Sequence, residues 1–491
     1  MDIQTGLLGL DQRLGGTVSQ ELIASEIPLP DGRDASEVLH IYARASVDNS
    51  ECVASAIRVS GRLTIDCACR SLSGEIYGFS AQSTFLHTLS LSEAAAGHTA
   101  HVRAQVVECA AEPGALSLKL NAVLELSAFV SAPVTTPFVT GVSGGRDIER
   151  RTDTLHVRRA RELATATLRL REEADAAGVT RILVCHGAAR VETLTFLGAS
   201  TCEAVGSLFV SALAETDEGT QKQLLLTLPL ACSFDAPFMP DVWATASVES
   251  LSVAAADVSF GVIDAEAVLK LTLYGAETAH IDVLLDAYAP DEGCVCRTAS
   301  LDRLTCAGGA QKTFTLKESV LIPEHLPDAS RMVYATAMPV VTGLFDAEGH
   351  LGADVMLLVG VLYCDEEGKL VSFTEDIPVQ IVLDAPFTAD AQLFVTPLSV
   401  AASGAGRAPE LTFTLEAFAV LYGTEPTALV SEIVPDDTPC PYGGVLVYCA
   451  DVGETLWDVG KRFRVPLASL ADWNAELADP LSEGQPVVLM R

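Results

Sequence analysis

The words Asp-Ala-Pro-Phe occur at 235–238 and again at 384–387, and Leu-Ser-Val-Ala-Ala at 251–255 and again at 398–402. Two unrelated words recurring in the same order at offsets of 149 and 147 mark a duplicated unit, which restricts the chain to architectures built by repetition. The unit extends upstream, where Gly178-Val179-Thr180-Arg181-Ile182-Leu183 matches Asp328-Ala329-Ser330-Arg331-Met332-Val333. Asp34-Ala35-Ser36-Glu37-Val38-Leu39 matches the same stretch, so a third, more diverged copy occupies the amino-terminal part. Leu116–Leu120, Val258–Val262 and Leu411–Leu415 also correspond, each with alternating apolar positions.

Within a copy the prevailing period is two. Ile57–Ile65 alternates apolar and polar side chains and predicts a strand with one face toward a core and one toward water. Val355–Tyr363 is continuously apolar and suits a central strand covered on both faces. Turn signals at 112–114 and 365–368 separate such runs. Each copy reads as an antiparallel sandwich-like unit, with units at 1–145, 146–290 and 291–435, a linker at 436–443 and a small terminal module at 444–491. The expected fold is mainly β, a row of three tandem units holding out a βααβ tail.

At 491 residues the chain is too long for one core, and an apolar content of 49% is ample for burial. Acidic side chains outnumber basic ones 65 to 31, a formal net charge of -34. Unassisted binding to nucleic acid or to an anionic membrane would work against that field, so a basic or neutral partner fits better. The start, Met1-Asp2-Ile3-Gln4, carries an acid where a secretion signal carries a base, and Leu126–Gly145, the longest uncharged run, contains Pro133 and Pro137. A cytoplasmic protein with no export signal and no membrane insertion is expected.

Thirteen cysteines, an odd number, argue for reduced thiols rather than a disulfide framework. Cys67 and Cys69 share one strand face, whereas Cys294, Cys296 and Cys306 gather in what reads as a connection; no second half of a zinc pattern accompanies either group. His98 and His101 read as a solvated pair on a polar turn. No metal and no other cofactor is expected. Gly141-Val142-Ser143-Gly144-Gly145 has nucleophile-elbow spacing but not the strand-helix context, and reads as a linker. With no convincing nucleophile and base, ligand cluster or phosphate loop, a non-catalytic protein is expected. Arg146–Arg171 holds eight arginines and four acids. Leu155–Asp175 fits an amphipathic helix or a long polar-edged strand, the repeat favouring a strand for the last third of the basic region. It is either a solvated connection or a docking stripe for an acidic partner or neighbouring domain.

The last fifty residues change character. Leu456, Val459, Gly460 and Phe463 form one helical stripe, and Thr455 with Asp458 makes a capping-box-like start. Pro466 opens a second helix carrying Leu467, Leu470 and Ala471, and strands are expected at Val445–Cys449 and Pro486–Met490. Of the two tryptophans here, Trp457 is expected to pack partly against the fold and Trp473 to be the exposed contact.

Tyr448, Gly453-Glu454-Thr455-Leu456-Trp457, Gly460-Lys461-Arg462-Phe463, Leu470-Ala471-Asp472-Trp473-Asn474 and Glu483-Gly484-Gln485 together resemble a LysM domain. That resemblance implies a shallow groove for N-acetylglucosamine polymers, placed here at Gly453, Glu454, Thr455 and Leu456, and at Ala478, Asp479, Pro480 and Leu481, with Trp473 and Asn474 beside it. Glu454 stands where the family usually has Asp, and the module carries seven acids against four bases. Three strand-rich units followed by a LysM domain, with Asp286-Ala287-Tyr288-Ala289-Pro290 and Gly360-Val361-Leu362-Tyr363, resemble the SPOCS-repeat proteins of spore-forming bacteria. The resemblance implies a scaffold of spore coat assembly at the forespore surface, in the mother-cell cytosol. Its LysM domain would dock to a protein partner, a coat-basement ATPase of the stage IV sporulation protein A type. The alternative is a binder of peptidoglycan or other N-acetylglucosamine glycans.

Overall fold

The computed structural model describes residues 2–30, 32–114, 116–143, 148–257, 261–290, 293–436, 438–439 and 443–490. Among them the chain is mainly β and its sheets are antiparallel. The first six strands are β1 (Asp2–Pro28), β2 (Glu37–Val53), β3 (Ala56–Arg70), β4 (Ile76–Ser90), β5 (Thr99–Pro113) and β6 (Ser117–Ser143). They form two three-stranded sheets, ordered β1-β6-β5 and β2-β3-β4.

The same arrangement recurs twice. Strands β7 (Glu149–Asp175), β8 (Val179–Phe196), β9 (Thr201–Thr216), β10 (Gln221–Asp235), β11 (Val242–Asp257) and β12 (Val262–Tyr288) give the orders β11-β12-β7 and β10-β9-β8. Strands β13 (Cys294–Ser319), β14 (Arg331–Ala347), β15 (His350–Cys364), β16 (Leu370–Pro386), β17 (Gln392–Ser403) and β18 (Glu410–Pro435) give β13-β18-β17 and β14-β15-β16. The repeated word at 251–255 lies in β11 and its copy at 398–402 in β17, so both occupy the fifth strand of their set. The words at 235–238 and 384–387 both leave the fourth strand. Phe238 N–H donates to Ala199 O and Phe387 N–H to Gly349 O, each in the turn between the second and third strands. That turn takes a left-handed residue in each set, with φ of +58° at Ser55, +82° at Gly198 and +89° at Gly349.

Each pair of sheets encloses its own apolar core, built from alternate positions of the facing strands. The apolar run in β15 shows why alternation fails there. Val355, Leu357, Val359, Val361 and Tyr363 face the core of their own set, while Leu362 and Cys364 face a second cluster. That second cluster joins all three sets. Leu39, Leu183 and Val333, equivalent positions in the repeat, meet there with Ala68 and Leu213. The three sets therefore converge on a shared junction instead of forming a row.

The long first and last strands of each set continue past the sandwich as two-stranded ribbons, and these ribbons converge too. Leu8, Leu10 and Phe138 pack with Val157, Val283 and Leu429. Further along, Val139, Leu284 and Val430 pack with Val142, Ala287 and Ile433.

One open alternative is decided and two expectations need correction. Glu149–Asp175 is strand throughout, the strand alternative extended over the whole segment, and it pairs antiparallel with β12 from Glu149 to Asp175. Cys294, Cys296 and Cys306 lie in β13, not in a connection; Cys294 and Cys306 are buried. His101 lies in β5, stacked on Phe129 with centroids 4.3 Å apart and within 3.0 Å of Ser131 Oγ, whereas the Nδ1 of His98 accepts from Ala95 N–H in the preceding turn. The stretch 141–145, read as a linker, begins in β6, but Gly144 and Gly145 lie outside the described residues, as do Arg146 and Val258–Phe260.

Candidate functional site

The chain ends in β19 (Val445–Cys449), α1 (Leu456–Phe463), α2 (Leu467–Trp473) and β20 (Pro486–Met490). Thr455 caps α1 with a reciprocal box, its side chain accepting from Asp458 N–H while Asp458 accepts from Thr455 N–H. Arg464 closes the helix in a left-handed conformation, φ +52°. Pro466 sits one residue before α2, as its N-cap. Leu456, Val459 and Phe463 pack with Leu470, Leu481, Val487 and Leu489 in a small separate core.

The two loops expected to form a groove are brought together. Leu481 N–H donates to Glu454 O at 2.8 Å, and Leu456 N–H donates to Asp479 Oδ1 at 3.1 Å. Gly453, Ala478, Asp479 and Pro480 are exposed, Thr455 is half-buried, and Leu456 and Leu481 are buried. Glu454 is buried as well. Its carboxylate accepts from Tyr448 Oη at 2.9 Å and from Asp451 N–H at 3.1 Å, and it lies 3.1 Å from Arg462. Glu454 thus ties the loop to β19. Asn474 is likewise internal: its amide donates to Leu470 O and Val488 O and accepts from Val488 N–H, clipping α2 to β20. Trp473 is half-buried against the module's own core.

The opposite side of α1 is fastened to the second set of strands. Trp457 Nε1 donates to Asp286 Oδ2 at 2.9 Å, and Lys461 Nζ lies 2.6 Å and 2.7 Å from the two oxygens of the same carboxylate. Burial pushes the Asp286 carboxyl upward, but the bonds from Lys461 and Trp457 outweigh it and hold it below its usual value. Tyr288 Oη donates to Val465 O at 2.8 Å, with its ring edge-on to Trp457. Glu149 accepts from Leu467 N–H at 2.9 Å, and Arg464 pairs with Asp436 at 2.8 Å. Trp457 is therefore buried between module and β unit, and the tail is seated instead of held out.

Sequence reasoning passed over Asp286, Tyr288 and Glu149 as contacts. Asp286 and Tyr288 were visible as a family-like word, but nothing local reports what a residue at a strand end will meet.

The basic strand β7 serves its neighbours. Arg159 bonds Gly9 O and Asp11 of β1, Arg158 reaches Ala307 O of β13 and Asp241, and Arg171 pairs with Asp264. Cys67 and Cys69 are buried, and burial pushes the Cys69 thiol up to about 12, so it is no ready thiolate. Among the described residues no group of three or more His, Cys, Asp or Glu is placed to hold a metal ion, and no helix is long and apolar enough to cross a membrane.

The chain matches no family model, no curated protein and no solved structure.

Proposed function

We propose that the chain is a non-catalytic scaffold of spore coat and envelope assembly, of the SPOCS-repeat and LysM type and similar to the spore coat morphogenetic protein SipL. In this reading it works in the mother-cell cytosol at the forespore surface. The three β units give rigid spacing, and the terminal module docks to a coat morphogenetic ATPase of the stage IV sporulation protein A type. The supporting observation is how the module is seated: α1 is fixed through Asp286, Tyr288 and Glu149, while Gly453, Ala478, Asp479 and Pro480 stay exposed. A recognition surface presented in one orientation loses little freedom on binding. A net charge of -34 favours a basic or neutral docking face on the partner.

The test is binding of the immobilised full-length chain to a purified ATPase of this type, beside sedimentation with insoluble peptidoglycan. Saturable ATPase binding that Ala478→Arg weakens by about tenfold is expected. Retention on peptidoglycan without ATPase binding would replace the scaffold by a binder of N-acetylglucosamine polymers.

A further inference from the structure

Strand β19 is apolar on both faces. Leu446 and Tyr448 turn inward and pack with Val487 and Leu489 of β20 against the helices. Val445, Val447 and Cys449 stand on the other face, where antiparallel register sets them directly across from Met490, Val488 and Pro486. None of these six residues is charged. Val445 is 74% exposed, Val447 57% and Met490 42%. A sheet with one wet face alternates apolar and polar residues, and a strand apolar on both sides is the pattern of one covered on both sides. Here α1 and α2 cover one side only.

The bare side also faces away from the β units. Leu456, Val459 and Phe463 of α1 meet the inner face of the hairpin, whereas Trp457 and Lys461 meet Asp286. The helix therefore lies between the hairpin and its seat. One end of the patch is acidic. Ala450 N–H donates to Gln485 O and Gly484 N–H to Ala450 O, which places the exposed Asp451 and Glu483 at the Cys449–Pro486 end.

We infer that the outer face of the β19–β20 hairpin is a docking surface for an amphipathic segment of a partner protein, its apolar side flanked by Lys or Arg. Charge selects this occupant. A second copy of the chain would bring its own Asp451 and Glu483, and another net -34, against the same acids. An anionic bilayer meets the same repulsion. The surface is separate from the groove positions 453–456 and 478–481, and it does not rest on the scaffold reading.

The full-length chain is panned against a random peptide library, with counter-selection on the full-length Val445→Thr/Val447→Thr variant, which keeps β-branched side chains in the strand. Enriched peptides are expected to pair an apolar stripe with flanking Lys or Arg. By fluorescence anisotropy the double variant should bind them about tenfold more weakly. Asp451→Asn/Glu483→Gln should weaken them by about threefold and flatten the salt dependence. Val447→Lys, a single exposed charge, should abolish binding with an unchanged melting temperature. Peptides held equally by the double variant, peptides without basic residues, or no enrichment would overturn the inference. So would self-association in sedimentation velocity, or flotation with zwitterionic vesicles, that Val447→Lys removes.

Discussion

The indole Nε1 of Trp457 donates to Asp286 Oδ2 at 2.9 Å across a separation of 171 residues. Lys461, one helical turn further on, closes on the same carboxylate. Two donors on one helix face converge on a single acceptor at the end of β12, which sets both position and rotation of α1.

Replacing Asp286 by Asn removes the charge and keeps the shape. The cost should be about 1–2 kcal/mol, discounted because the Lys461 side chain is 37% exposed. Asp286→Leu leaves indole and ammonium without a partner and should cost more. Hydrogen exchange of the α1 amides reads both. The wild-type carboxyl titrates below its usual value, so its contribution is present above the unfolded value of about 4 and is lost as the pH falls through the lower folded one. Acid loosening of α1 should therefore begin below about pH 4 and be absent in Asp286→Asn.

Gly460→Ala separates helix propensity from docking. Alanine favours an exposed helix interior by about 1 kcal/mol over glycine. A Cβ at this position, however, would lie 2.5 Å from Tyr288 Oη. Tyr288 must then yield its bond to Val465 O. Loss of protection in α1 is expected, with partial recovery when Tyr288→Phe is added.

Arg190 Nε lies 3.1 Å from Glu416 Oε1, joining the second set of strands to the third, and Gln311 also donates to that carboxylate. Burial raises the Glu416 carboxyl, with the Gln311 bond and Arg190 opposing. Arg190→Met leaves the carboxylate buried without its cation, at a cost of about 3–5 kcal/mol. Adding Glu416→Leu should recover most of it. Urea midpoints of the single and double variants decide.

A buried polar group occupies the junction of the three sets. Tyr334 Oη lies 3.1 Å from His186 Nδ1, and the rings of His40 and Tyr334 meet edge-on. Desolvation lowers His40 to about 4 and His186 to about 3. Unfolded histidines take up protons below about 6.5, so stability should fall as pH drops from there toward 4. Asp66, raised to about 6 by burial, acts in the opposite direction: the folded form binds a proton that the unfolded form releases until about pH 4. Asp66→Asn should stabilise the fold at pH 7–8 by on the order of 1–3 kcal/mol and steepen the acid limb. Urea unfolding between pH 8 and 4 measures both effects.

The terminal hairpin and helices were legible because their determinants are local: the stripe at Leu456, Val459, Gly460 and Phe463, the box at Thr455 and Asp458, and two short apolar runs. The repeated words likewise fell on matching strands, since sheet register preserves alternation. What stayed hidden depends on distant partners. Nothing near Trp457 announces Asp286, and nothing near Glu454 distinguishes a ligand-facing acid from one bonded to Tyr448. The arginines of β7 left helix and strand both open because their counter-charges sit on other strands. His40 and Tyr334 share one slot of the repeat. Polar residues there were the available signal for a buried junction.

Among the described residues the seat for α1 occurs once, although the set of strands that carries it occurs three times. The ribbon register that matches Val139, Leu284 and Val430 places Gly141 and Glu432 where the middle copy has Asp286, and Ser143 and Val434 where it has Tyr288. Three identical subunits would offer three berths and leave their occupancy to concentration. Fusing diverged copies into one polypeptide fixes one berth and one tail per chain, so the ratio of tail to berth is written into the gene.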